Sequence, residues 1–236
     1  ANGPYKAGQV VPVEVTFSEN VTVTGVPQIT LETGATDAVV TYTSGSGTNK
    51  LTFNYTVFAG DTSSDLDYVA TTSLALNGGT IKDSVGNNAT LTLSAPGASG
   101  SLGASKDLVI DTTAPTLAYT SITPVSPGTT RTPQVALTIS EGVTNIQLYS
   151  NALCNAAVSS AAAGTAGANT ITTNNLTADA GTSIFAQATD AAGNASSCTA
   201  MTNYTHDGTA PTITGVSSTS ANGTYRVGPV SYTHLT

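Results

Sequence analysis

Three short acidic motifs recur along this chain, and their side chains are the ones whose types and spacing could do chemistry. DTTAP at 111–115 returns as DGTAP at 207–211, SEN-V at 18–21 as SEG-V at 140–143, and DSVGN at 83–87 as DAAGN at 190–194. They contribute Asp111 and Asp207, Glu19 and Glu141, and the pairs Asp83 with Asn87 and Asp190 with Asn194. Oxygen donors of this kind suit a hard cation such as Ca²⁺, which takes about six to eight oxygen ligands. Turn formation is the plainer role, because Asp and Asn bond to nearby backbone N–H groups and tolerate left-handed backbone.

Other constellations carry less. His206 beside Asp207 has the residue types of a base and its orienter, but no nucleophile motif surrounds any serine and no Gly-x-Ser-x-Gly occurs. We read His206 as a hydrophilic linker residue. Asp61, Asp65 and Asp67 in GDTSSDLD read as an ordinary acidic turn and not as a glycosidase pair. Cys154 and Cys198 lack zinc-site spacing and read as a disulfide, worth about 4 kcal/mol in the chain-entropy model; the alternative is two buried thiols.

Composition narrows the class. Charged residues make up 8% of the 236, far below the roughly one quarter of an average soluble domain, and the net charge is −8. That balance argues against nucleic acid, whose phosphates need basic patches. No stretch approaches the roughly 18 apolar residues of a membrane span, so no membrane insertion is expected.

The elements that must position the acids are strands. Val11, Val13, Val15 and Phe17 alternate with polar residues, as do Leu51, Phe53, Tyr55 and Val57, and again Val135, Leu137 and Ile139; IFAQATD at 184–190 opens another apolar run. Pro12 cannot donate to a ladder and marks an edge or a strand start. Residues 156–169 are Ala-rich but too rich in Gly, Ser and Thr for a stable helix. The fold class is all-β, with short strands between Gly, Asn, Asp and Pro turns.

Repetition sets the organisation. ANGPYKAG at 1–8 reappears as ANGTYRVG at 221–228, behind the second Asp-x-Thr-Ala-Pro segment. We expect a first module over 1–110 lacking its first strand, a second over 111–206 holding the disulfide, and the start of a truncated third over 207–228. Residues 229–236, PVSYTHLT, depart from the repeat and match the translation of a sequencing-library adaptor, so we set them aside as an artefact.

The ordered motifs together resemble tandem bacterial immunoglobulin-like repeats of large surface and adhesin proteins. Module one resembles the repeat family first named from a cyanobacterial cell-surface motility protein, through ANGPYKAG, VTFSENVTVTG, TYTSGSGTNKLTFNYTV, LALNGGTIKDSVGNNATLTL and DTTAP. Module two resembles the shorter bacterial variety through ATDAAGNASS and YTHDGTAPT. The resemblance implies tandem Ig-like β-sandwich modules and a role as extender or adhesive array, with Ca²⁺ near the junctions.

Sandwich topology makes that chemistry specific. With strand B at 135–140 and strand F at 184–190, Glu141 falls in the B–C loop and Asp190 with Asn194 in the F–G loop. Asp111 enters at the same end, so the four converge on the junction, without Lys or Arg, where repulsion favours a cation. Glu19, Asp83 and Asn87 form an incomplete copy, and Asp207 belongs to a third junction. The expected protein is a non-enzymatic, extracellular or cell-surface spacer array, its partners being neighbouring repeats, with surface glycans or a host or biofilm receptor met through other domains. The rival is a carbohydrate- or ice-binding module attached to a secreted enzyme, weakened by the absence of Trp.

Overall fold

Alternating apolar residues build two separate hydrophobic cores, one drawn from Val11 to Ile110 and the other from Ile122 to Tyr204. The computed structural model describes residues 2–228; the suspected adaptor segment 229–236 lies outside them. The first sandwich holds β1 (Gly3–Tyr5), β2 (Val10–Thr24), β3 (Gln28–Leu31), β4 (Ala38–Ser44), β5 (Thr48–Thr56), β6 (Thr62–Ser63), β7 (Leu74–Ala75), β8 (Thr80–Lys82) and β9 (Leu108–Asp111). They form a six-stranded sheet, β7-β3-β4-β5-β2-β8, and a three-stranded sheet, β1-β9-β6. The second sandwich holds β10 (Leu117–Thr123), β11 (Gln134–Ile139), β12 (Val143–Tyr149), β13 (Ala162–Gly164), β14 (Gly167–Thr172), β15 (Gly181–Thr189) and β16 (Thr199–Thr205). Its sheets are β10-β11-β14 and β13-β12-β15-β16, which in Ig lettering are A-B-E against C′-C-F-G.

Strand β11 shows why these residues make these sheets. Val135, Leu137 and Ile139 are 0–3% exposed while Gln134 and Thr138 face water. Burying each such side chain contributes about 1.5–3 kcal/mol, and a one-residue slip would turn all three outwards. In β2 the pairing with β5 runs from Val10 to Thr16 and, after an irregularity, resumes at Val21 opposite Thr48, where the strand goes on to pair with β8 from Thr22 to Thr24. The SEN segment at 18–20 is therefore a corner inside one continuous strand. Pro12 sits where β2 has only β5 beside it, so its missing N–H costs no ladder bond.

The first described strand, β1, pairs in parallel with β9. The all-β class holds, with one four-residue helix, α1 (Leu102–Ser105), among the strands; the Ser101 hydroxyl caps it by accepting from the Ala104 N–H. No helix of the described residues is long and apolar enough to cross a membrane. Beyond β16 the described residues 207–228 carry no strand or helix and are exposed.

Candidate metal centre at the junction

Three carboxylates meet where the sandwiches join. Asp111 ends β9 of the first sandwich, Glu141 follows β11, and Asp190 follows β15 of the second. One oxygen from each lies within 4.8 Å of the others, and Asp190 is only 3% exposed. Among the described residues the one ion pair of a lysine or arginine is Lys50–Glu14, and the imidazole near a carboxylate, His206, lies beside Asp179, so no cationic side chain pairs with the trio. Burial pushes the Glu141 carboxyl up from its ordinary value, and the charges of Asp111 and Asp190 push it further.

Neighbouring groups hold the acids in place. The Asn194 N–H donates to Asp190 Oδ1 at 2.8 Å, and its side-chain amide donates to Asp190 Oδ2 at 2.8 Å and to the Asp111 main-chain oxygen at 2.9 Å. Asp111 Oδ1 accepts from the Thr113 N–H at 3.0 Å, fixing the local turn of the linker. Neither Glu141 oxygen nor Asp111 Oδ2 has a hydrogen-bond donor among the described residues. The donor set is oxygen throughout, which fits a hard divalent cation and not a softer metal that prefers nitrogen or sulfur.

The remaining candidate residues divide. Glu19, Asp83 and Asn87 line one cleft of about 410 Å³ on the first sandwich, without a third acid beside them. Partial burial works to raise the Asp83 carboxyl, but bonds from the Asn87 side chain and from the N–H groups of Asn87, Val85 and Gly86 outweigh it and hold the group low. Asp207 is exposed and accepts from the Thr209 N–H at 3.1 Å, in the same local turn as Asp111. Cys154 and Cys198 are joined as a disulfide.

Three residues gained roles that their sequence context had concealed. Lys6 reaches across the junction and donates from Nζ to the Gly193 main-chain oxygen at 2.7 Å, so a lysine does attend the F–G turn, though it bonds backbone and not carboxylate. The recurrence of Lys6 as Arg226 in the repeated opening motif was the available signal. His206 is not a solvated linker residue but is buried: Nδ1 accepts from the Asp179 N–H at 2.9 Å while Nε2 lies 3.1 Å from the Thr129 oxygen, which selects the neutral Nε2–H tautomer. The Gly208 N–H, with the Thr209 side chain, holds the Asp179 carboxyl below its ordinary value. Asp67, read as part of an acidic turn, is also buried, and its carboxylate accepts from the N–H groups of Tyr68, Gly97 and Leu102.

Sandwich and site together define a chain of tandem immunoglobulin-like modules with an acidic junction. No protein-family model matches the sequence, and no curated protein does. Among solved structures, a chain described as fibronectin(III)-like modules of Clostridium thermocellum CbhA is similar, at 13% identity over 87% of this chain and 90% of that one. Its TM-score is 0.36, so the fold assignment rests on the sheets described above.

Proposed function

We propose that this chain is a non-enzymatic spacer array of a bacterial surface protein of the adhesin type, whose module junctions are stiffened by Ca²⁺. Its units are residues 1–110, residues 111–206 and the opening of a third from 207. The supporting observation is the acidic trio drawn from both sandwiches, with which no basic side chain of the described residues pairs. A cation bound by Asp111, Glu141 and Asp190 would relieve their repulsion and tie the linker to two loops of the next module. Extracellular modules of this sort bind Ca²⁺ with dissociation constants on the order of 10⁻⁴–10⁻³ M, matched to a medium rich in the ion. The disulfide supports an oxidising location outside the cytosol.

The test is thermal unfolding of residues 1–228 in Ca²⁺ and in chelator, beside an Asp111→Ala, Asp190→Ala double variant. Calcium at a hundred times its dissociation constant should stabilise the parent by about 2.7 kcal/mol and leave the variant unmoved. An unchanged parent at tens of millimolar Ca²⁺ would remove the metal from the proposal. Hydrolysis of a glycan or ester by the purified chain would overturn its non-enzymatic half.

A further inference from the structure

The linker from Asp111 to Thr116 is held by residues whose counterparts on the first sandwich are present but exposed. Asn194 gives one amide hydrogen to Asp190 and the other to the Asp111 main-chain oxygen. Ser140 makes two bonds to Thr116: its hydroxyl accepts from the Thr116 N–H at 2.9 Å, and its own N–H donates to the Thr116 oxygen at 3.1 Å.

The first sandwich repeats the Asp–Asn turn beneath this linker bond for bond. The Asn87 N–H donates to Asp83 Oδ1 at 2.8 Å and its side-chain amide to Asp83 Oδ2 at 2.7 Å, while the Asp83 N–H donates to the Asn87 oxygen at 3.0 Å. Asp190 and Asn194 make the same three bonds at 2.8, 2.8 and 3.1 Å. Among the described residues one amide hydrogen of Asn87 therefore has no acceptor, and the Ser18 hydroxyl, counterpart of Ser140, has no bond. Ser18, Glu19 and Asn87 are exposed around the cleft, whereas Asp190 is buried under the linker.

We propose that the pole formed by Ser18, Glu19, Asp83 and Asn87 docks an exit linker of the Asp-x-Thr-Ala-Pro-Thr type, such as the one a copy of the second sandwich carries at 207–212. DGTAPT at 207–212 matches DTTAPT at 111–116 residue for residue except at the second position. Asp207 already makes the local turn of Asp111, with Thr209 in the place of Thr113. In the docked state Asn87 donates to the main-chain oxygen of the linker Asp, and Ser18 accepts from the N–H of the linker Thr. The linker Asp then stands to Glu19 and Asp83 as Asp111 stands to Glu141 and Asp190. The inference rests on the array reading above and is independent of calcium, because both specifying bonds are hydrogen bonds within the protein.

Because Ala221-Asn222-Gly223 repeats Ala1-Asn2-Gly3, a copy of residues 1–220 placed directly before Ala1 of the whole chain keeps the repeat in register. Amide hydrogen exchange of this duplicated chain, recorded by NMR in chelator, reads the docking at the Thr212 N–H of the leading copy. It should exchange at least about tenfold more slowly than in the single chain, approaching the protection of Thr116. Ser18→Ala in the trailing copy, a surface change that leaves the Asp83–Asn87 turn intact, should remove that protection; Asn87→Ala should do the same. Thr212 exchanging as fast as in the single chain, with Thr116 still protected in the same molecule, overturns the docking alone. Loss of protection at both threonines would indict the array reading itself.

Discussion

At the residue scale the decisive group is Glu141, because burial and two neighbouring carboxylates disfavour its charge and no hydrogen bond from the described residues repays the cost. Its folded pKa lies above its ordinary value, so between the two values the native chain holds a proton that the unfolded chain has released. Stability from this group therefore falls as pH rises through that window. Glu141→Gln keeps the shape and removes the charge. In chelator the variant should be more stable than the parent at pH 7 and should lose that slope. In saturating Ca²⁺ the order should reverse, since the parent then has a ligand the variant lacks. Urea unfolding across pH 4–8, with and without Ca²⁺, measures both effects; a variant less stable than the parent in chelator would mean that Glu141 is not under repulsion.

At the element scale, alternation was enough to place the acids and not enough to place their supports. Val135, Leu137 and Ile139 define β11, so Glu141 had to follow it. Ile184 opens the apolar run of β15, so Asp190 had to end it. The serine clips beside these strands left no such trace. Ser159 Oγ accepts from the Leu148 N–H and donates to the Ser160 oxygen; Ser196 Oγ accepts from the Ala188 N–H and donates to the Ser197 oxygen. Gln147 and Gln187, paired across β12 and β15, each donate to the oxygen of the corresponding serine. A hydroxyl thus takes the place of a ladder carbonyl on both strands, and nothing in a Ser-Ser dipeptide announces it. Ser196→Ala leaves a buried N–H without an acceptor and should cost about 1–3 kcal/mol in denaturant unfolding, as should Ser159→Ala. Ser→Thr at either position keeps the hydroxyl and should recover part of the loss; an alanine variant as stable as the parent would show that the clip carries no weight.

At the scale of the whole molecule, what matters is how two cores become one directed object. The junction is stitched from distant parts of the chain: Lys6 to Gly193, Asn194 to Asp111, and Ser140 to Thr116. Motif spacing could announce the acidic trio, because each acid sits at the end of a strand whose direction the topology fixes. It could not announce Lys6, whose role depends on how far one sandwich leans towards the other. Lys6 and a bound cation are then independent restraints on the same hinge, one acting through backbone and the other through carboxylates. Lys6→Met keeps the aliphatic stem, removes the bond to Gly193 and touches neither core, so the stability of each sandwich should be unchanged. The ¹⁵N relaxation of the two sandwiches should reveal the loss. In chelator the parent should tumble nearly as one body, while the variant should show separate correlation times for residues before and after Asp111. Added Ca²⁺ should bring the two times back together by holding the hinge through the trio alone. A variant that tumbles like its parent in chelator would show that Lys6 contributes nothing to stiffness, leaving Asn194 and Ser140 as the links that set the angle.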